Sequence, residues 1–317
     1  MVVSNKFDFF FIKFPLVFPI IYLCFLNIFP EYEKFIILFT ILFLAEPHFA
    51  ATWPFMIDKK NKDMIFQRRI EFIFFPAIII LTSLLLFFFF RKEFFLIFYF
   101  ANVYHVTRQS IGISKLYSND KNLINFHEKT IYAFNIFLGA VGLLRFYIPV
   151  INDDNIIYLN LVFIVFLTIV IITYFRKFKY VNLAPLVTGV LIFYPICFVK
   201  NPVHAILMGV TMHYSQYIIL TYFIGLRRTK DNVIHDTKIQ LRSLMKKFKI
   251  NFFTILFIYS LIMSSLSILG KSSNEILSQL ILLPIIFQLL HFYLDGLLWR
   301  FSIKTNRENT LKYIFNH

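Results

Sequence analysis

Long apolar runs separated by short polar segments form the dominant pattern of this chain. A helix needs about 20 apolar residues to cross a hydrocarbon core of about 30 Å. Ten segments meet that requirement: 14–30, 35–57, 70–90, 94–114, 130–150, 155–175, 180–199, 202–226, 251–269 and 276–299. Because backbone groups in lipid must be satisfied within a segment, and the chain lacks the alternating pattern of a barrel strand, each is predicted to be a helix. The predicted fold class is all-α, a polytopic integral membrane bundle of about ten transmembrane helices forming a single domain, 1–317.

The charges between these segments predict the orientation of the chain. With the N-terminus in the cytoplasm, the cytoplasmic segments sum to a formal charge of +17 and the opposite segments to −1. Such an excess of Lys and Arg is typical of cytoplasmic loops. Both termini are therefore predicted to be cytoplasmic, and the most basic cytoplasmic loop, 227–250, is predicted to form an amphipathic surface helix against anionic lipid headgroups.

Composition excludes a soluble domain and a nucleic-acid-binding role. Of the 317 residues, 59% are hydrophobic and only 15% are charged, and the mean hydropathy is +0.71. The net charge of +15 is accounted for by the loops, so membrane lipids rather than nucleic acid are the expected partners, and protein partners are left open. We expect a multi-pass protein of a bacterial inner membrane, since abundant Phe, Ile, Lys and Asn suit an AT-rich genome.

Histidine is distributed differently from charge. The predicted spans contain five of the 49 charged residues but five of the eight histidines. A polar side chain at membrane depth is costly and usually faces a protein interior or a cavity, so the retained residues indicate a site. The charged residues within the spans are Glu46, Glu71, Arg108, Arg145 and Asp295, and the histidines are His48, His105, His204, His213 and His291.

Four of these histidines are predicted to share one depth. His48, His105, His213 and His291 lie about 13, 11, 11 and 15 residues along spans that all run inward, which places them within about 6 Å of a common level. We therefore expect one histidine cluster. His204 lies nine residues before His213, about half a turn away around the helix, and is predicted to lie outside it.

The residue types in this cluster favour a metal site. Neutral imidazole is the commonest metal ligand in proteins, so His48, His105, His213 and His291 are predicted to bind a metal. Mixed histidine and carboxylate ligation with open positions suits oxygen activation, which makes Fe²⁺ the expected ion, with another transition metal possible.

Four further polar residues are predicted to serve this site: Glu46, Arg108, Gln109 and Asp295. Asp295 follows His291 by four residues and shares its helix face, so we expect Asp295 and Glu46 to orient ligands or to ligate directly. Arg108 and Gln109 follow His105 at three and four residues and are predicted to position a polar end of the substrate.

Single histidines on separate spans of a membrane protein of this size resemble the Brp/Blh family of bacterial membrane carotene dioxygenases. The resemblance covers His48, His105, His213 and His291; the segment HFYLD (291–295) has the His and Asp of a family element but Phe292 in place of its Gly. It implies nonheme iron held by histidines and oxidative cleavage of a carotenoid. The segments YHVTRQSIGI (104–113) and HFYLDGLLWR (291–300) are also similar to those of uncharacterised bacterial multi-span proteins, which imply no function.

Three functions remain open from the sequence. The first is an integral membrane metal-dependent oxidoreductase acting on an apolar lipid, isoprenoid or carotenoid. The second is a transporter or proton-coupled carrier that uses the same His, Asp and Arg groups as a relay. The third is a structural membrane protein without catalysis. The motifs GxxxxGK[ST], HExxH and GxSxG are missing, so phosphate-loop, zincin and serine hydrolase chemistry have no support.

Overall fold

A computed structural model describes residues 1–57, 59–178, 183–231, 238–271 and 274–315. Every regular element within these ranges is helical, which confirms the all-α class. The α-helices are α1 (Asn5–Asp8), α2 (Val17–Ile28), α3 (Glu33–Thr40), α4 (Glu46–Ala50), α5 (Thr52–Ile57), α6 (Lys59–Gln67), α7 (Phe75–Phe89), α8 (Arg91–Leu116), α9 (Lys121–Gly142), α10 (Ile156–Lys177), α11 (Ala184–Leu191), α12 (Pro202–Asp231), α13 (Lys238–Leu269), α14 (Glu275–Ser278), α15 (Leu282–Leu298) and α16 (Lys304–Asn309).

Six helical stretches in the described part of the chain are long and apolar enough to cross a membrane. A seventh candidate is the pair Asn5–Lys13 and Val17–Ile28, whose two halves meet at a bend of 55°. The six are Pro30–Met56, Ile70–Phe89, Lys121–Tyr147, Ile156–Lys177, Ser243–Leu269 and Glu275–Leu298. Each coincides with a span expected from the apolar runs.

The outward faces of these helices are apolar. On α10, Ile157, Val165 and Phe175 are all more than half exposed, and α7 likewise exposes Leu81, Leu85 and Phe89. Contiguous exposed apolar surface of this kind is unfavourable in water and is typical of helices solvated by lipid. The chain is therefore a multi-pass helical membrane protein.

The structure differs from the sequence prediction at segment 180–199. Residues 180–182 lie outside the described residues, and the rest forms the eight-residue α11 and the 3₁₀ turn Tyr194–Cys197. A helix of eight residues is about 12 Å long, so α11 alone is too short to cross a bilayer. The turn after it packs tightly against α12, since a Cβ at Gly209 would lie 1.8 Å from the Ile192 carbonyl oxygen.

The basic loop 227–250 is shorter than the apolar pattern suggests. Helix α12 continues to Asp231 and α13 begins at Lys238, so much of the predicted loop is helical. Residues 232–237 lie outside the described ranges. Lys and Arg have high helix propensity. Hydropathy does not indicate the part of a helix that extends beyond the hydrocarbon core, because the residues there are polar.

The chain divides into two compact units. The first unit comprises Met1–Asn5, Leu38–Asn102 and Tyr214–His317, and the second comprises Lys6–Ile37 and Val103–His213. The single membrane domain, 1–317, remains a prediction.

In the first unit, α15 and α13 pack against each other and both contact α4. Helix α15 also packs on α7, where buried Phe87, Leu282, Ile285 and Ile286 form an apolar core. Side chains inside a lipid-solvated bundle gain stability mainly from close packing and from interhelical hydrogen bonds. The packing of α4 against α13 and α15 therefore fixes the histidine of α4.

In the second unit, α9 packs against α11 and against the 3₁₀ turn Tyr194–Cys197. Arg145 lies in the π-helical turn Leu143–Tyr147 that follows α9 and is only 7% exposed. Its Nη1 donates to the Ile196 carbonyl oxygen at 2.5 Å. A guanidinium can satisfy several carbonyls at the end of a broken helix. Arg145 thus links the 3₁₀ turn Tyr194–Cys197 to the π-helical turn that follows α9.

Candidate functional site

His48 is placed by an interrupted helix. The π-helical turn Ile41–Ala45 precedes α4, and α4 ends before Ala51. Pro47 and Pro54 lack a backbone N–H, and each ring crowds the carbonyl four residues earlier, so a widened turn and a break are the expected consequences. The interruption lies next to His48, which is fully buried.

His48 and His291 form the first histidine pair. Both are 0% exposed, and their ring centroids are 4.5 Å apart. One ring nitrogen of His48 lies within 4.8 Å of one ring nitrogen of His291. His48 comes from α4 and His291 from α15, so the α4–α15 packing within the first unit creates the pair.

A buried carboxylate completes this group. Asp295 lies one turn after His291 on α15 and is 2% exposed, and its Oδ2 is 3.6 Å from His291 Nε2. Its other oxygen, Oδ1, accepts a hydrogen bond from the Tyr217 hydroxyl at 2.5 Å. An ionised carboxylate at this depth needs such donors or a cation, because an uncompensated buried charge is strongly unfavourable.

Thr52 connects the members of the group. Its Oγ1 lies 2.6 Å from His291 Nδ1, 2.8 Å from the Tyr217 hydroxyl and 3.3 Å from Asp295 Oδ1. A hydroxyl can donate one hydrogen bond and accept two, so Thr52 can donate to His291 Nδ1, or accept from it and donate to Asp295. Either tautomer of His291 is therefore accommodated, including the one that leaves a lone pair on Nε2. We call His48, Thr52, Tyr217, His291 and Asp295 the α4–α15 site.

Aromatic rings surround the α4–α15 site. The Phe49 ring lies 5.1 Å from the His291 ring and 6.2 Å from the Phe292 ring, centroid to centroid. The Tyr214 ring lies 5.1 Å from the His48 ring. Aromatic side chains combine apolar bulk with rigidity, so they exclude water from the polar group and present an apolar surface next to it.

Glu46 is buried but is held elsewhere. It is 1% exposed, and Gln288 Nε2 donates to its Oε1 at 3.4 Å. Residues two apart on a helix do not face each other, so Glu46 projects to a different side of α4 from His48. Its placement favours a role in fixing α4 against α15.

His105 and His213 form a second pair, in the second unit. Both are buried, and their ring centroids are 5.3 Å apart with nearly perpendicular planes. His105 comes from α8 and His213 from α12. Two of the predicted metal ligands are thus adjacent within this unit also.

The polar residues expected to accompany His105 lie partly outside the interior. Arg108 is exposed, and its Nη1 donates to the Tyr132 hydroxyl at 3.4 Å, while Gln109 is half-buried. A residue three positions on is displaced by about 60° around a helix, which is enough to bring a long side chain out of a buried face. The contact with Tyr132 directs Arg108 towards α9.

The apolar pattern did not reveal two other histidine contacts of the second unit. His127 is buried and hydrogen-bonded through Nδ1 to the Ser114 hydroxyl. His204 Nδ1 lies 2.7 Å from the Tyr22 hydroxyl, and its Nε2 lies 3.7 Å from Glu33 Oε2. The expectation that His204 lies outside the cluster rested on its position about half a turn around the helix from His213 and did not supply these partners.

Neither comparison with models of known protein families nor searches of curated proteins and of solved structures finds a match to this chain.

Proposed function

We propose that this protein is an integral membrane metal-dependent oxidoreductase that holds nonheme Fe²⁺ and acts on an apolar lipid, isoprenoid or carotenoid. The observation that carries the proposal is the grouping of His48, His291 and Asp295 in the α4–α15 site. Two imidazoles and one carboxylate are the ligand set that nonheme iron oxygenases use. A bound ion of this kind would supply dioxygen activation.

The chemistry of the donor atoms fits a divalent cation. Asp295 and His291 Nε2 are 3.6 Å apart, a separation that an ion between them would bridge after a small adjustment. The cation would also offset the charge of the buried Asp295 carboxylate, which accepts from the Tyr217 and Thr52 hydroxyls. The separation of the donor atoms and the charge of the carboxylate both favour a metal cation between His291 and Asp295.

The remaining residues of the site position these ligands. With Thr52 accepting from His291 Nδ1–H and donating to Asp295 Oδ1, the Nε2 lone pair would be available to a metal ion. Tyr217 holds Asp295 Oδ1 and so fixes the carboxylate plane. Phe49 and Phe292 exclude water and provide the apolar contact surface that a lipid or isoprenoid chain requires.

The topology that accompanies this proposal has about ten crossings, cytoplasmic termini and a location in a bacterial inner membrane. Helices α8 and α12 have 26 and 30 residues and, at about 1.5 Å per residue, are long enough to cross. Segment 180–199 would then be a broken crossing. Labelling of single cysteines placed at the two termini tests this: labelling of both from the cytoplasmic side supports it, and labelling from opposite sides overturns the even count.

Metal analysis of the purified protein tests the function. After anaerobic reconstitution with Fe²⁺ we expect about one iron per chain, lost in His48→Ala and His291→Ala. His127→Ala is the matched control, because His127 is an equally buried histidine outside the site. His105→Ala and His213→Ala decide whether the second pair binds metal. Wild-type protein that stays metal-free would refute the proposal.

A relay is the second candidate, favoured by one specific observation. Thr52, Tyr217, His291 and Asp295 form a continuous chain of hydrogen-bonding groups, which can pass a proton. A proton-coupled carrier predicts pH-dependent solute flux in proteoliposomes, abolished by Asp295→Asn. Metal binding without flux excludes this candidate, and a protein with neither property is the structural protein of the third interpretation.

A further inference from the structure

Tyr22, His204 and Glu33 form a separate polar chain in the second unit. Tyr22 and His204 are 4% and 1% exposed, and the Tyr22 hydroxyl lies 2.7 Å from His204 Nδ1. His204 Nε2 lies 3.7 Å from Glu33 Oε2, and the Glu33 side chain is 48% exposed. The chain therefore leads from a half-exposed carboxylate to a buried phenol.

The Tyr22 hydroxyl and His204 Nδ1 form a hydrogen bond whose direction follows from the tautomer of His204. The Glu33 carboxylate, 3.7 Å from Nε2, favours the tautomer of His204 that carries its proton on Nε2. Nδ1 is then the acceptor, and the Tyr22 hydroxyl is the donor. The phenol is thus hydrogen-bonded to a base that can take its proton.

The chain depends on contacts between distant parts of the sequence. Tyr22 and His204 are separated by 182 positions. Asn201 caps the start of α12, accepting from the backbone N–H of Val203 at 2.9 Å, which places His204 in the first helical turn. The amino-terminal end of a helix disfavours a cation, so an imidazolium at this position needs the nearby Glu33 carboxylate.

We propose that Tyr22 is a redox-active tyrosine whose proton acceptor is His204. An outer-sphere one-electron oxidant removes one electron from Tyr22. The phenolic O–H bond breaks as the proton moves to His204 Nδ1, giving a neutral tyrosyl radical and an imidazolium. Glu33 stabilises the imidazolium, and reduction of the radical returns the proton to the phenol. The proposal concerns electron transfer in the second unit and does not depend on metal binding in the first.

The proton acceptor gives Tyr22 an advantage over exposed tyrosines. Oxidation without proton loss would create a phenol cation in an apolar interior, which is strongly disfavoured. Proton transfer to a base already in hydrogen-bond contact moves that charge to His204, where the Glu33 carboxylate offsets it. Tyr158 is 65% exposed on α10 and serves as a comparison.

Photo-oxidation of the full-length protein in detergent provides the test. The oxidant is photogenerated tris(bipyridine)ruthenium(III), with persulfate as the electron acceptor, and the readout is the tyrosyl radical signal in electron paramagnetic resonance. We expect most of the signal to be lost in Tyr22→Phe and retained in Tyr158→Phe. An equal signal in Tyr22→Phe and wild type would overturn the assignment.

Two further variants separate proton transfer from folding. His204→Ala is expected to lower the radical yield about tenfold or more. Added imidazole should restore the yield, because it can occupy the space left by the His204 side chain and accept the proton of Tyr22. Glu33→Gln should shorten the radical lifetime. Unchanged yield in His204→Ala would show that Tyr22 is oxidised without this acceptor and would refute the proposal.

Discussion

His291 in the first unit and His204 in the second unit have nearly the same neighbours. In each, Nδ1 contacts a hydroxyl, Thr52 at 2.6 Å or Tyr22 at 2.7 Å. In each, Nε2 faces a carboxylate oxygen at 3.6 or 3.7 Å. The difference is in the carboxylate, because Asp295 is 2% exposed and the Glu33 side chain is 48% exposed.

This difference separates two kinds of chemistry. A solvated carboxylate needs no partner, so Glu33 can respond to charge that arises on His204. A buried carboxylate must be compensated at all times, so Asp295 requires hydroxyl donors, a proton or a metal cation. The same arrangement of hydroxyl, imidazole and carboxylate thus accompanies the transient charge proposed for one unit and the metal cation proposed for the other.

Removal of the buried carboxylate is expected to have the largest effect. Asp295→Ala removes the acceptor of Tyr217 and Thr52 and a predicted metal ligand. We expect a loss of about 3 kcal/mol in the free energy of unfolding and the loss of bound iron. Thermal unfolding in detergent, with and without Fe²⁺, measures both. Equal stabilities of Asp295→Ala and Glu33→Ala would contradict the comparison.

Loss of the Thr52 hydroxyl should come next. Thr52→Val keeps the shape but leaves His291 Nδ1 and the Tyr217 hydroxyl with one partner fewer. The expected cost is about 1–2 kcal/mol, with iron affinity reduced about tenfold or more. Thr52→Ser retains the hydroxyl and should restore affinity, as measured by equilibrium competition with a chelator. Weak binding in both variants would show that side-chain packing, and not the hydrogen bond, matters.

Tyr22→Phe is predicted to have a smaller effect on stability. It deletes one interhelical hydrogen bond and leaves the apolar ring in place. Such bonds contribute about 0.6 kcal/mol on average within membrane proteins. Thermal unfolding compared with Tyr217→Phe tests the ranking, since Tyr217 serves a buried carboxylate and should cost more. A reversed order would mean that burial of the carboxylate does not set the energetics.

Glu33→Gln should change stability least. His204 is neutral in the resting state proposed above, so its contact with the half-exposed Glu33 side chain is weaker than a surface ion pair, which contributes less than about 1 kcal/mol. We expect a change below about 0.5 kcal/mol in the free energy of unfolding, measured by the same thermal assay. A change as large as that of Asp295→Ala would show that His204 is charged in the resting protein.

The sequence was sufficient for the fold class and for part of the site. Apolar runs predicted helices and a membrane location, and six of the predicted spans coincide with helices able to cross. The retained histidines predicted buried positions for His48 and His291, which the structure confirms. Both predictions rest on the cost of exposing polar groups to hydrocarbon, which a one-dimensional pattern records well.

The hydrogen-bond partners of these histidines could not be predicted from the apolar pattern. Thr52 contacts Tyr217 and His291, which are 165 and 239 positions away, and no local spacing encodes such contacts. His127 was overlooked for another reason. It lies in a predicted loop, 115–129, whereas α9 already begins at Lys121 after the Asp120 cap. The Asp120 signal was present in the sequence, since Asp is a preferred helix cap.

The π-helical turn Ile41–Ala45 gives the α4–α15 site a simple dependence on chain length. A π-turn accommodates one residue more than the regular helix around it, so removal of one residue, for example Leu42, would convert the turn to an ordinary one. His48 would keep nearly the same orientation, because five residues of a π-turn cover about the same rotation and rise as four residues of an α-helix. Loss of a second residue could not be absorbed in this way and would rotate everything that follows by about 100° and shift it by about 1.5 Å. His48 would then move away from His291 while the span kept its apolar character, so helices that look equally hydrophobic can differ in whether they hold a site.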